Sequence, residues 1–479
     1  NHKELEDTLR EEMEFDISPL YEFDSKEGLN AIKTIEPFSY GYNRKGFAIF
    51  LRALERTQAP IQSLDLSNNG IRVKGAQALG RALEQTQAPL QSLNLSKNWI
   101  GFDGAQALSQ ALERTQTPLQ SLDLSENMIR DKGAYALARA LEKTQAPLQR
   151  LDLSGNSIGV QGVKVLARAL ERSQTPLRSL DLSGNGIGVE EAQDLARALE
   201  NTQNPLQSLF LSSSSIGDEG TQALAGALES TQTPLQSLDL SWGRIGVEGT
   251  QALSRALERT QTPLQILDLS GNNKIGDEGV RALARALVKT KTPLQRLDLC
   301  YNMIRDEGAR ALAQALESTQ APPLQILDLS QNDIGDEGAR ALAQALESTQ
   351  TPLQRLNLSH NDIGDEGARA LAQALEKTQT PLRSLDLSSN RIRDEGARAL
   401  AQALEKTQAP LQILNLLCNL IRDEGARSLA QALESTRVPL QILNLAGNGI
   451  GDVPTRLIED ALKMTQNNIG HVSVKRADM

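Results

Sequence analysis

Proline recurs in this chain at 60, 89, 118, 147, 176, 205, 234 and 263, a step of 29 residues, and continues at 293, 323, 352, 381, 410 and 439. Two steps lengthen to 30, one through the extra residue in "GNNKIG" (271–276) and one through the doubled proline in "APPLQ" (321–325). A fixed period of this size leaves one kind of architecture open. Each unit is too small to bury its own apolar face, so neighbours stack and share a continuous core.

The unit "PLRSLDLSSNRIRDEGARALAQALEKTQA" (381–409) shows what is stacked. Its first half reads L-x-x-L-x-L-x-x-N-x-I. Leu382, Leu385 and Leu387 predict a short strand with one buried face. Asn390 follows at the turn, where its amide can bond backbone groups left unpaired as the chain bends inward. The second half, 394–407, predicts a helix with Asp394 as its N-cap and with Ala397, Leu400 and Leu404 on one face. That helix must end before Pro410.

Composition narrows the function. Aromatic residues are 3% of the chain, too few to anchor several separate compact cores, and the formal net charge is −10. Phosphate binding needs basic clusters, so nucleic acid is excluded as the main partner, whereas an acidic surface suits a basic protein. No apolar run approaches the ~18 residues of a membrane helix, and the charged start "NHKELEDTLREEMEF" has no signal-peptide core. The two cysteines, Cys300 and Cys418, lie four repeats apart. At ~4.8 Å per strand they stand roughly 19 Å from each other, too far for a disulfide. Free thiols fit a cytoplasmic protein.

No catalytic constellation is present. The three histidines, His2, His360 and His471, have no nucleophile or ligand set around them in sequence, no cysteine pair has zinc spacing, and there is no phosphate-binding glycine loop. The expectation is a non-enzymatic chain without metal or cofactor.

L-x-x-L-x-L-x-x-N followed by a full helix resembles the leucine-rich repeat of the ribonuclease-inhibitor type, and "DEGARALAQAL" is similar to repeats of NOD-like receptors. The match covers about residues 46–465 and recurs fourteen times. It implies an α/β horseshoe solenoid with a parallel inner sheet of about 16 strands and outer helices. The expected domains are 1–59 (N-terminal region and cap), 60–451 (repeats) and 452–479 (C-terminal cap). Within the caps, "KEGLNAIK" (26–33) reads as a degenerate helix and "IEPFSYGYN" (35–43) as the first strand. The helix half of that cap follows from Phe47, and "IGHVSV" (469–474) reads as the last strand.

Departures from the consensus mark candidate sites. Acids recur at one outward strand position, among them Asp239, Asp268, Asp298 and Asp328, with Asn at 94, 357, 415 and 444. Phe210 stands there instead in one repeat. Trp242 occupies the loop position before the usual Asn, and that Asn is missing in two adjacent repeats, as Ser214 and Gly243. Together with Arg244, Tyr301 and Met303 these predict a binding patch of aromatic and cationic anchors; Trp99 takes a loop position of the same kind. Accumulated drift in a duplicated array would leave the same exceptions. A second patch is apolar: Ile413, Leu417, Cys418 and Leu420, continued by Ile442 and Ala446.

The resemblance implies a protein partner held on the concave face of a monomer. The setting would be an innate-immune receptor-like protein or a bacterial effector acting in host cytosol. The alternatives are a regulatory repeat protein such as a GTPase activator of the Ran type, whose long acidic tail the ending "VSVKRADM" lacks, or the targeting arm of an enzymatic domain.

Overall fold

The computed structural model describes residues 61–464 except 203–205, 231–233, 261, 319–322, 348–351, 378–380 and 437, and also 31–32, 47, 50–52, 54–55 and 471–473. The chain forms two compact units: residues 1–216 with 230–239, and residues 217–229 with 240–479.

In the first unit, strands and helices alternate: β1 (Ala31–Ile32), β2 (Ser63–Asp65), α1 (Arg72–Gln85), β3 (Ser92–Asn94), α2 (Gly101–Arg114), β4 (Ser121–Asp123), α3 (Arg130–Lys143), β5 (Arg150–Asp152), α4 (Val160–Arg172), β6 (Ser179–Asp181), α5 (Val189–Asn201) and β7 (Ser208–Phe210), with β8 (Ser237–Asp239) closing it. The second unit takes α6 (Gly217–Ser230), α7 (Val247–Arg259), β9 (Ile266–Asp268), α8 (Gly276–Lys289), β10 (Arg296–Asp298), α9 (Asp306–Leu316), β11 (Ile326–Asp328), α10 (Asp336–Glu347), β12 (Arg355–Asn357), α11 (Asp365–Lys377), β13 (Ser384–Asp386), α12 (Asp394–Lys406), β14 (Ile413–Asn415), α13 (Asp423–Ser435), β15 (Ile442–Asn444), α14 (Asp452–Met464) and β16 (His471–Ser473).

Within each unit the strands are parallel and pair in chain order, each residue opposite its counterpart one repeat on. Leu64 faces Leu93, which faces Leu122; Leu297 faces Leu327, which faces Leu356. These central leucines are at most 2% exposed. Each contributes roughly 1.5–3 kcal/mol by burial, so the leucine column drives the stacking. On the helix side, small alanines such as Ala397, Ala401 and Ala403 are buried and let adjacent helices approach closely.

Burial alone does not fix the stagger between repeats. Three polar ladders do. The first is the turn asparagine. Asn127 Nδ2 donates to the carbonyls of Leu95 (2.8 Å), Leu124 (3.0 Å) and Ser125 (2.9 Å), and its Oδ1 accepts from the amides of Asn98 (2.9 Å) and Ile100 (3.3 Å). One buried side chain thus satisfies backbone groups of two repeats. The pattern runs from Asn98 to Asn185 in the first unit and resumes at Asn272 in the second.

The second ladder corrects an expectation. Asp394 does not cap its own helix. Its Oδ1 accepts from the amides of Arg422 (2.8 Å) and Gly425 (2.9 Å), at the start of α13 one repeat later. Asp365, Asp336, Asp306 and Asp218 do the same for the helices after theirs. Asp394 is already the first helical residue, and from there its carboxylate reaches the neighbouring helix end, whose unpaired amides attract it. This contact explains the Gly of "DEG": a Cβ on Gly308 would lie 2.7 Å from Asp277 Oδ1, which already accepts from the Gly308 amide.

The third ladder uses the Thr after each helix. Thr115 Oγ1 donates to the Leu83 carbonyl at 2.9 Å and Thr260 Oγ1 to that of Leu228 at 2.7 Å, tying the end of each helix to the one before.

At the N-terminus, Ala31–Ile32 pair with Ser63–Leu64 as a parallel strand. They fall in the stretch expected to be helical, where a two-residue apolar pair instead completes the free edge of β2. The expected strand at 35–43 lies outside the described residues. Phe47, Phe50, Leu51 and Leu54 are buried and helical, with the two phenyl rings stacked at 6.2 Å. At the other end β16 pairs with β15, as expected.

The asparagine ladder makes a stability prediction. Asn127→Ala should lower unfolding free energy by about 2–4 kcal/mol, because it strands buried backbone groups on both sides. Ser214 sits buried at an asparagine position, its hydroxyl without a partner among the described residues. Ser214→Asn should therefore raise stability by about 1 kcal/mol. Urea unfolding of both variants checks the pair.

Candidate functional site

The residue before the turn asparagine is left-handed throughout the array: φ is 59° at Lys97, 54° at Trp242, 55° at Tyr301 and 53° at Cys418. The backbone reason is visible in the ladder. In this conformation the Trp242 amide reaches the Ser270 carbonyl (2.8 Å) and the Tyr301 amide that of Ser330 (2.9 Å). Such a residue carries about 1–2 kcal/mol of strain unless it is Gly, so the fold sets the position and leaves its side chain facing solvent.

In the second unit this geometry builds an aromatic shelf. Trp242 and Tyr301, two repeats apart, stack at 5.4 Å between centroids with 27° between planes. The residue between them in the ladder is Gly271. A Cβ there would lie 2.4 Å from Trp242 Cδ2, so the indole lies flat over the glycine. The two rings remain 54% and 41% exposed. Arg244 and Met303, just beyond the turn, are also left-handed and point outward. The inserted residue in 271–276 changes the local bonding. Ile275 N donates to the Asn272 carbonyl instead of to Asn302, and the buried Asn302 Oδ1 has no partner among the described residues.

Beside the shelf, on the strands, runs the acid column. Asp268, Asp298 and Asp328 are in register on adjacent parallel strands. Burial, and then repulsion from Asp268 and Asp328, pushes the Asp298 carboxyl up to about 6, although the Cys300 amide (3.1 Å) and Arg296 (3.2 Å) donate to it. Elsewhere the repulsion is relieved by Asn: Asn357 Nδ2 donates to Asp328 Oδ2 and Asn415 Nδ2 to Asp386 Oδ2, both at 2.8 Å. Burial also pushes the Cys300 thiol up, away from thiolate chemistry. Both cysteines are free.

The other expected site residues separate. Phe210 belongs to the first unit, half-buried on β7 in register with Asp181 and Asp239. Of the expected patch, the structure brings Trp242 and Tyr301 into ring contact. Trp99 is 60% exposed in the first unit, with the Arg72 guanidinium 5.6 Å from its ring. The apolar patch holds together, because Ile413 and Ile442 are register partners on β14 and β15. Leu420 and Ile442 are exposed, and Ile413 and Leu417 half-buried. Sequence reasoning missed Phe102, Met128 and Tyr135, all exposed in the first unit. Met128 repeats the position of Met303 and could have been found that way; Phe102 and Tyr135 lie on helices, where no consensus loop position flags them.

Among the described residues no group of His, Cys, Asp and Glu has the arrangement to hold a metal ion, and no helix is long and apolar enough to cross a membrane.

A family model described as "Leucine Rich repeat" matches fourteen segments, beginning at 59–80, 87–109 and 115–138 and ending at 408–430 and 439–453. Together they make up more than half of the sequence, and the chain belongs to the leucine-rich repeat family. No curated protein matches it. Among solved structures it is similar to an internalin (inlF) from Listeria monocytogenes, with 20% identity, a TM-score of 0.44, and 79% of this chain and 86% of that one covered. Rad7 in the yeast Rad7–Elc1 complex gives the same identity and TM-score over 80% of this chain and 86% of the other. The Arabidopsis receptor kinase HAESA, solved with the peptide hormone IDA and SERK1, gives 17% identity and a TM-score of 0.37 over 87% and 55%. These likenesses are too distant to carry function.

Two outcomes follow from the shelf and the column. Gly271→Ala should push the indole off its seat, abolishing the ring-current shift of the Tyr301 protons in NMR spectra and costing about 1–2 kcal/mol. Asp298 has its folded pKa raised, so its ionisation destabilises the fold; the stability it supports is complete below the unfolded value and lost as pH rises through about 6. Asp298→Asn should therefore gain on the wild type by about 1–3 kcal/mol between pH 4 and 7, read from paired melting curves.

Proposed function

We propose that this chain is a non-enzymatic protein-binding scaffold, with repeats of the ribonuclease-inhibitor type. Its second unit holds a basic protein segment against Trp242, Tyr301 and the neighbouring acid column. The observation that carries this reading is the stacked, half-exposed aromatic pair seated on Gly271. Large rigid rings presented to solvent are the commonest anchors of protein interfaces, and their faces attract cations. Burial first, and then the neighbouring Asp268 and Asp328, raise the pKa of Asp298; a bound Lys or Arg would offset the like charge of the three carboxylates. Binding would accordingly tighten as pH rises from about 5 to 7, where Asp298 ionises.

The Ile413–Ile442 pair with Leu417 and Leu420 offers a second, apolar contact on the same unit. The two free cysteines fit a cytoplasmic setting. A monomer needs no other copy of itself to complete the shelf.

The test compares capture by wild type and by the Trp242→Asn, Tyr301→Asn double variant. Asn tolerates the left-handed backbone, so the two should melt alike. A basic protein retained by wild type, released by salt and lost by at least about tenfold in the variant is the expected result. Equal retention by both proteins would remove the shelf from the account.

A further inference from the structure

The first unit carries its own exposed apolar surface, on the loop edge where the helices begin. Trp99, Phe102, Met128 and Tyr135 are 60%, 36%, 51% and 49% exposed, and they come from two consecutive repeats. Cations lie among them. Arg72 stands 5.6 Å from the Trp99 ring centroid and Lys132 stands 5.1 Å from that of Phe102. Lys74 and Arg130 are exposed on the same edge. None of these four cations makes an ion pair with a carboxylate among the described residues, although Lys97 close by pairs with Glu126 at 3.3 Å.

The surplus runs against the rest of the molecule. The whole chain carries a net charge of −10, and at the corresponding helix starts of the second unit the residues are acid pairs such as Asp306–Glu307 and Asp336–Glu337. The surface also has depth. Lys132 and Tyr135 wall a groove of about 510 Å³ between α2 and α3, together with Glu113 and with Arg114 and Arg139, which pair with Glu84 (3.5 Å) and Glu113 (3.3 Å).

We propose that this edge of the first unit is a docking surface for an acidic protein segment bearing large apolar side chains. Carboxylates of the segment would meet Arg72, Lys74, Arg130 and Lys132, and its apolar side chains would lie on Trp99 and Phe102 or enter the groove beside Tyr135. Charge complementarity selects the occupant: cations already resting on ring faces can add a carboxylate without losing the ring. A segment, unlike a flat anionic bilayer, can set its carboxylates on the cations while avoiding the exposed Asp103 and Glu126 on the same edge. This surface belongs to the first unit and the Trp242 shelf to the second, and the two are opposite in charge preference, so either can fail alone.

The chain has two tryptophans, which makes the test selective. In full-length Trp242→Phe protein, Trp99 is the sole indole reporter. It is titrated with a short synthetic peptide alternating Glu with Leu and Phe, with the same peptide carrying Lys for Glu, and with vesicles of phosphatidylcholine and phosphatidylserine. The expected result is a saturable shift of Trp99 emission with the acidic peptide only. It should weaken by about tenfold or more in an Arg72→Glu, Lys132→Glu variant of unchanged melting temperature, and should weaken with added salt. No saturable shift, an equal response to the Lys peptide, a stronger response to the vesicles, or insensitivity to the charge reversal would each overturn the proposal.

Discussion

One side-chain amide sets the terms for the rest of this molecule. The turn asparagine of each repeat donates to carbonyls of its own repeat and the one before, and accepts backbone amides of the one before. The leucine column would tolerate small slips, since burial is not directional. The asparagine does not, because a shift of a fraction of an ångström breaks several buried hydrogen bonds at once. Asp at the start of one helix and Thr at the end of another repeat the device on the helix side. Where asparagine is replaced by Ser214 and Gly243 the ladder stops, and the division into two compact units falls at the same place.

In-register stacking also creates the electrostatics. Parallel strands ~4.8 Å apart set every repeated residue against its own copy, so a consensus acid becomes a column of like charges. Substituted asparagines answer the repulsion at Asp328 and Asp386, whereas Asp298, more buried and with an acid on either side, holds its proton more tightly. The functional reading of the second unit rests on that residual frustration beside two stacked rings. The same register makes an exception at one loop position visible as a surface feature, since every other copy of the position is aligned beside it.

The repeat, the strand and helix of each unit, the buried Leu and Ala positions and the role of the turn asparagine were all legible in the sequence, because periodicity encodes them directly. Asp394 was read on the wrong helix, since capping is a local rule in sequence and here acts across repeats. Ala31 and Ile32 lack a pattern long enough to declare a strand and obtain one only from the edge of β2. Trp242 and Tyr301 could be listed as exceptions, but their stacking depends on the absence of a side chain at Gly271, which no spacing announces. The cations around Trp99 and Phe102 passed unnoticed because the overall charge points the other way.

Hydrogen exchange of the loop amides tests the central claim most directly. Ile158 and Ile245 give their amides to the side-chain oxygens of Asn185 (3.0 Å) and Asn272 (2.9 Å), whereas the turn residues one repeat on from Ile187 and Ile216 are Ser214 and Gly243, which have no side-chain amide oxygen to offer. All four are fully buried, so burial does not distinguish them. If the asparagine ladder holds the repeats in place, Ile187 and Ile216 exchange about tenfold faster or more than Ile158 and Ile245 under native conditions. Equal protection at all four positions would show that the asparagine ladder does not hold the repeats in place, and would contradict the account.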